Sequence, residues 1–244
     1  EGAADRDIAW QLAFTRPEGE WDLDRGVIRA GGGTIEPADT RGLHFRGRVG
    51  TFRLEDWLSV SRSRDPTTTA AGRIRSADLV IDNFHALGQH LKDHRVRVDR
   101  SARDWYVEIE GAEVMASTVI PYDFNSGRPI IVDAERLVLP GDDTEPDLEP
   151  AQIDPRTLPP ISIRSGETAF GTRRFGALEA NFERTADGLE AEAIVARDKT
   201  FEIIGNASWV LDESDPAGTR SALTASLTSR DVEATMRRLD YAPG

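Results

Sequence analysis

The stretch ADGLEAEAIVARDKTFEIIGNASW, residues 186–209, decides the fold class. Small or apolar residues occupy alternate positions in two runs on either side of a polar turn: Leu189, Ala191, Ala193 and Val195, then Phe201, Ile203, Gly205, Ala207 and Trp209. Side chains alternate between the two faces of a β-strand, so a period of two predicts strands with one apolar face. The turn-forming residues 186–188 precede the first run. The stretch therefore predicts antiparallel strands joined by short turns.

The same alternation recurs along most of the chain. It appears at Ile8, Trp10, Leu12 and Phe14, at Val96 and Val98, at Trp105, Val107 and Ile109, and at Leu223, Ala225 and Leu227. Turn-forming residues at 16–19 and 125–127 lie between these runs. The sequence as a whole therefore predicts an all-β chain.

Two segments depart from the period of two. Residues 54–58 are compatible with one or two helical turns. Residues 231–239 predict a helix, because Val232, Met236 and Leu239 have the i, i+4, i+7 spacing of one helical face. Thr228 or Ser229 is the expected N-cap.

Linker composition divides the chain into repeat units. We predict the tail of a preceding β unit at 1–60, a β unit at 72–140, an acidic proline-rich linker at 141–157, and a β unit at 158–242 that ends in a short helix. The first and last parts share a strand, 42–47 and 222–227, that leads into a helical segment, and the units that begin near 72 and 158 both run through a glycine into a strand, a turn and a strand. These parallels indicate a degenerate internal repeat.

Composition narrows the function classes. The net charge of −13 argues against nucleic acid and against a flat anionic membrane as partners. The absence of cysteine excludes disulfides and thiolate metal sites. The sequence contains no run of about 18 apolar residues, so it predicts no membrane-spanning helix. The first residues do not form a signal peptide, so any anchor is expected outside this chain.

Reactive chemistry is not predicted, so we expect a protein that is not an enzyme. His90 and His94 have a zinc-like i, i+4 spacing, but in a strand that spacing does not converge. The sequence contains no nucleophile elbow and no phosphate-binding loop. We expect no catalytic residue, no metal and no cofactor.

A series of motifs in fixed order points to a family. They are the strand 42–47 with the acidic, Trp-containing 54–58, then 77–81, 105–111, 135–140, 154–160, 175–179 and 229–241. In these motifs and their order, the chain resembles the AsmA-like superfamily. Within that superfamily it resembles the YhdP-type proteins of Gram-negative bacteria, which are related in architecture to TamB.

The resemblance implies both a fold and a role. The expected fold consists of repeated antiparallel strands in an extended, curved sheet with an open groove, in which a few short helices close the units. The expected role is to carry phospholipid through the periplasm between inner and outer membrane, supporting outer-membrane integrity. An N-terminal helix outside this chain would tether the protein to the inner membrane. Expected partners are phospholipid acyl chains, neighbouring repeats of the full-length protein and envelope proteins.

An acyl chain needs a dry surface to bind to, because burying each methylene group away from water contributes about 0.8 kcal/mol to the binding free energy. An apolar strand face supplies such a surface. The groove candidates are Leu79, Ile81, Val96, Val98, Trp105, Val107, Ile109, Ile130, Val132, Leu178, Phe182, Leu189, Phe201, Ile203, Leu223 and Leu227.

Alternatives fit the same alternation. Periodicity alone favours a β-sandwich, whose inner faces pack on each other and leave no groove. A non-catalytic structural or adaptor module of the cell envelope would have no lipid path and would bind partners along a sheet edge. A carbohydrate-binding sandwich would need a plane of surface aromatic residues. Whether one face of the sheet is open distinguishes the lipid path from a packed core.

Overall fold

The alternating sequence forms thirteen β-strands within the residues that the computed structural model describes, which are 7–19, 21–54, 73–86, 89–141, 154–212, 214 and 218–241. The chain forms two compact units. The first unit comprises residues 1–102 and 106–112, and the second comprises 103–105 and 113–244. The prediction of an all-β chain is confirmed.

In its described residues, the first unit contains six strands and a short 3-10 turn. The strands are β1 (Ile8–Thr15), β2 (Asp22–Ala30), β3 (Gly42–Arg53), β4 (Ile74–Ala86), β5 (Gln89–Arg100) and the greater part of β6 (Asp104–Glu110), and the 3-10 turn Pro17–Gly19 joins β1 to β2. Strands β1 and β2 pair antiparallel, as do β4 and β5. The β2–β3 and β3–β4 pairs are parallel.

The described part of the second unit contains seven strands and a helix. They are β7 (Val114–Pro121), β8 (Ile130–Leu139), β9 (Ile161–Phe170), β10 (Arg173–Arg184), β11 (Gly188–Arg197), β12 (Phe201–Leu211), β13 (Thr219–Ser229) and α1 (Val232–Arg238), with a 3-10 turn at Pro155–Thr157 before β9. The β8–β9 pair is parallel, and the other strand pairs of this unit are antiparallel.

The parallel pairs are a departure from the antiparallel pattern expected at every joint. Parallel neighbours need a connection of about a dozen residues or more, whereas a tight turn can only reverse the chain. The three parallel pairs follow the long connections 31–41, 54–73 and 140–160. The predicted linker, 141–157, lies entirely in the third connection. Residues 142–153 of that linker, and residues 55–58 of the expected helical turn, lie outside the described residues.

Part of the alternation predicted for β11 is wrong, because this strand contains a β-bulge. The register of β11 against β12 shifts between Ala191 and Ile194. Leu189 and Ala191 therefore share their face with Ile194 and Ala196 instead of with Ala193 and Val195. A bulge inserts one extra residue into a strand, which exchanges the faces of the residues beyond it.

The C-terminal helix is confirmed, with a different cap from the one expected. α1 begins after Asp231, whose carboxylate accepts a hydrogen bond from the Ala234 amide at 3.0 Å. Thr228 and Ser229 remain in β13. The Ser229 hydroxyl instead contacts the Thr235 hydroxyl at 2.9 Å. The predicted boundaries of the repeat units stay a prediction.

Gly47 allows two parallel strands to approach closely. Its φ is 111°, in the region that favours glycine, and a Cβ there would collide with the Ala30 carbonyl of β2. Gly50, three residues further along β3, has no atom within 4 Å of the position a Cβ would take.

We expect Gly47→Ala to destabilise the protein by about 1–3 kcal/mol, because it combines backbone strain with a backbone clash. Gly50→Ala is the matched control, and an alanine there is expected to be neutral or stabilising by up to about 1 kcal/mol. Urea unfolding followed by circular dichroism measures both. Equal unfolding midpoints for the two variants would contradict the close approach at Gly47.

Candidate functional site

The first unit has an apolar face that the register of its strands defines. Leu79 of β4 pairs with Val96 of β5, and Ala77 pairs with Val98. Opposite residues on neighbouring strands project to the same side, so these side chains form one surface. The same surface continues across the earlier strands through register partners, which include Ile28 with Trp10 and with Phe45.

Strand β6 adds its apolar residues to this face. Arg97 pairs with Asp78 in register and therefore projects to the side opposite Val96 and Val98. Its guanidinium donates to Glu108 at 3.3 Å and to Glu110 at 2.8 Å, which places both carboxylates on that opposite side. The alternating Val107 and Ile109 consequently share the side of Val96.

The second unit has its own apolar face, and the odd-numbered residues of β12 mark it. Ile203 pairs with Leu227 of β13 on one side and with Ala196 of β11 on the other. Ala196 pairs in turn with Leu178 of β10. The face extends to β8 through further register partners: Ala180 with Ile163, Phe182 with Ile161, Ile163 with Val132, and Ile161 with Ile130.

The strands place every predicted groove residue on these apolar faces. The apolar face of the first unit contains Leu79, Ile81, Val96, Val98, Val107 and Ile109. Trp105 lies on the same side of β6 as Val107, and its ring contacts the Tyr122 ring edge-on, with the ring centroids 5.4 Å apart. The apolar face of the second unit contains Ile130, Val132, Leu178, Phe182, Leu189, Phe201, Ile203, Leu223 and Leu227.

Exposure divides these residues into covered and open positions. Leu189 and Phe201 are 1% and 2% exposed, and Ile81 is 1% exposed. Leu223 and Leu227 on β13 are 69% and 47% exposed. The face of the second unit is therefore packed core at some positions and open surface at others.

Helix α1 covers the end of the face at Phe201. Phe201 pairs with Ser229, whose hydroxyl contacts that of Thr235 in the helix. The Thr235 hydroxyl also donates to the Thr200 carbonyl at 3.3 Å. Arg238 forms an ion pair with Asp198 at 3.1 Å, and Leu239 is buried. Polar contacts to the β11–β12 turn thus hold the helix in place.

The 3-10 turn Pro155–Thr157 covers the end at Leu189. It contacts β11 and β12, and Pro155, Leu158 and Pro159 are buried. The Asp154 carboxylate accepts a hydrogen bond from the Arg156 amide at 3.0 Å, which fixes the start of the turn. The apolar face of the second unit is thus covered near both strand ends and open along the edge strand β13.

The opposite face of the first unit is charged. Arg95 donates two hydrogen bonds to Asp78, at 2.8 and 2.7 Å, and Arg48 lies 3.2 Å from Asp93. The hydrogen bonds from Arg95, together with its charge, hold the pKa of Asp78 below its ordinary value. Along this part of the strands, one side of the sheet is therefore dry and the other is solvated.

The apolar face of the first unit ends at Ile81 and His94, which sequence reasoning did not reveal. Two residues further along, the register pairs Asn83 with Lys92 and then His85 with His90, so the same side becomes polar. Phe52, Phe84 and Leu91 project to the other side, and the Phe52 and Phe84 rings lie 5.9 Å apart. Only the strand register reveals this exchange of polarity.

The histidines do not converge on a metal. His90 stacks on His85 at 4.5 Å and hydrogen-bonds Asn83 at 3.0 Å, whereas His94 is fully buried beside Gly111. No group of three or more potential metal ligands occurs among the residues with described placement.

Comparison with known proteins gives a match at the level of the family. A family model described as YhdP protein matches residues 1–244, which is the entire chain. No curated protein and no solved structure matches the chain.

We expect Asp78→Asn to lower stability at neutral pH and to matter less in acid. The folded pKa of Asp78 is depressed, so its contribution is complete above the unfolded pKa of about 3.8 and is lost as pH falls through the folded value. Urea unfolding between pH 7 and pH 2 should show a gap between wild type and variant that narrows below about pH 4. Asp133→Asn, an exposed carboxylate on β8, is the control. A gap of constant size across this range would contradict the ion pair as its cause.

We expect a charge to be tolerated at the open position of the second face and not at the covered one. Leu189→Asp should cost more than about 3 kcal/mol, since it buries an unpaired carboxylate. Leu227→Asp should cost about 1 kcal/mol or less, because its side chain is already half exposed. Chemical unfolding measures both variants. A Leu227→Asp protein as unstable as Leu189→Asp would mean that β13 is packed core.

Proposed function

The chain belongs to the YhdP family, and we propose that its apolar faces bind phospholipid acyl chains as part of a path between the inner and outer membranes. The protein would support the integrity of the outer membrane without catalysing a reaction. The coarser assignment, an envelope protein connected with lipid transport, follows from the family. The lipid path itself is the proposal that the following observations support.

The open edge of the second apolar face is the observation that carries this proposal. Ile203 and Leu227 form a register pair, and Leu223, four residues before Leu227 on the same side of β13, is more exposed still. An acyl chain laid along β13 would remove these side chains from water, at about 25 cal/mol for each Å² of apolar area. Exposed apolar side chains in one row mark a binding surface better than scattered ones do.

The two-sided character of the sheet suits a lipid. Acyl chains would lie on the dry face, while the charged headgroup would stay in water at the open side. Behind Leu79 and Val96, the opposite face of the first unit carries ion pairs such as Arg95 with Asp78, so this stretch offers no competing site for a hydrocarbon chain. Many similar apolar positions along the strands would give weak, repeated binding, which movement along a path requires.

The proposed location is the periplasm, with a tether to the inner membrane through a helix that is not among the described elements. No helix of the described residues is long and apolar enough to cross a membrane. The proposed partners are acyl chains, neighbouring repeats of the same protein and other envelope proteins. The formal charge of −13 supports the exclusion of nucleic acid.

The covered positions favour a second candidate, a structural or adaptor module without a lipid path. Leu189 and Phe201 are buried under the chain's own segments, as they would be in an ordinary core. In this reading β13, which pairs only with β12 among the described strands, would bind another polypeptide along its other edge. The two candidates differ in what touches Ile203 and Leu227 in the cell.

Photo-crosslinking at adjacent residues of one strand separates the candidates. A photoreactive amino acid is placed at Ile203 on the apolar face and, as the matched control, at Ile204, which is 50% exposed on the opposite face. Val107 and Tyr106 form the equivalent pair on β6. Mass analysis of adducts formed in cells should find phospholipid at Ile203 and Val107 and not at Ile204 and Tyr106.

Two results would count against the lipid path. Adducts with protein alone at Ile203 and Val107 would favour the adaptor module. Equal lipid adducts at all four positions would indicate non-specific labelling.

A further inference from the structure

One end of the first unit carries a cluster of arginines around a cavity of about 620 Å³. The cavity lies where β2, β3 and β4 begin and β5 ends. Its charged lining residues are Asp22, Asp24, Arg41, Arg73, Arg75 and Arg100. Parallel pairing of β2, β3 and β4 brings the starts of these three strands to the same end, which explains why residues far apart in sequence meet here.

The cluster has more positive than negative charge. Arg41 contacts Asp24 at 2.8 Å, and Arg73 contacts Asp22 at 2.7 Å. Within the described part of the chain, Arg75 makes no hydrogen bond or ion pair. Among the described lining residues, four guanidinium groups face two carboxylates, and Arg100 already has an interaction of its own. The Arg25 guanidinium also lies 3.7 Å from the Asp24 carboxylate. This local excess is opposite in sign to the net charge of the whole chain, which is −13.

The cavity adjoins the apolar face of the first unit. Leu23 and Ile74 line it together with the arginines. Ile74 pairs in register with Leu43, and Leu43 lies with Leu12 over the position where a Cβ of Gly26 would be. Along β5, Arg100 follows Val96 and Val98 on the same side of the strand. A ligand could thus place a charged group among the arginines and an apolar part on the strands.

We infer that this cavity binds the phosphate group of a phospholipid whose acyl chains lie on the adjoining apolar face, an inference that rests on the proposed function for its acyl part. Guanidinium groups bind phosphate through paired, charge-assisted hydrogen bonds. Arg75 supplies such donors without first releasing a carboxylate, and Arg41 and Arg73 already neutralise the two acidic residues. The shared chemistry is that of a phosphate mono- or diester, which free phosphate could also satisfy.

Titration calorimetry of the whole chain tests the site with three probes. They are dihexanoyl phosphatidylglycerol below its micelle concentration, glycerophosphoglycerol, which is the same headgroup without chains, and inorganic phosphate. The variants are Arg75→Gln and the charge-conserving Arg75→Lys. Arg220→Gln, which removes the same charge from an exposed ion pair with Asp212 in the second unit, is the matched control. Circular dichroism checks that each variant is folded.

We expect Arg75→Gln to weaken binding of the short-chain lipid by about tenfold, as the loss of one hydrogen bond to a charged group predicts. Arg75→Lys should recover part of this loss, and Arg220→Gln should change affinity by less than about twofold. Glycerophosphoglycerol should bind more weakly than the lipid and show the same dependence on Arg75.

The remaining outcomes separate the two proposals. Equal affinities for all three probes, each dependent on Arg75, would mean a site for free phosphate and would overturn the acyl part. Lipid binding that Arg75→Gln leaves unchanged would overturn the arginine site while the apolar face stands. If none of the three probes binds, the arginine site is overturned, and the apolar face of the first unit no longer supports the proposed lipid path.

Discussion

Side-chain alternation along hydrogen-bonded strands is the constraint on which the other features of this protein depend. A strand that sends Leu79 to one side must send Asp78 and Val80 to the other, and its neighbours follow through their register. Each unit can therefore present a dry surface on one side of its strands and a wet surface on the other. The dry surface must then be covered by the chain or occupied by something else.

Both solutions occur in the second unit. α1 and the 3-10 turn at Pro155–Thr157 cover Phe201 and Leu189 near the strand ends. The helix follows β13 directly, whereas the 3-10 turn lies in the long connection between β8 and β9. Between and beside them, β13 remains exposed at Leu223 and Leu227. A stable core and an accessible apolar surface are thus neighbouring parts of one face, which is what a lipid-binding protein needs in order to stay folded when empty.

Sequence reasoning identified the faces because a period of two is a local property. It placed Ile203 and Leu227 on one side because no bulge interrupts the register of β12 with β13. It failed where the hydrogen-bond register decides, as at the bulge after Ala191, where Val195 moves to the other side. It also missed the arginine cluster, since Arg41 and Arg75 meet only through parallel pairing over long connections, and no local pattern encodes that pairing.

The central claim, that one face of β13 meets lipid and the other does not, can be tested residue by residue. Because the chain contains no cysteine, single cysteines at positions 222–227 can each carry a fluorescent label. Quenching by phospholipid brominated in its acyl chains reports contact with those chains. We predict a period of two, with strong quenching at 223, 225 and 227 and weak quenching at 222, 224 and 226. Uniform quenching, or none at Leu227, would contradict it.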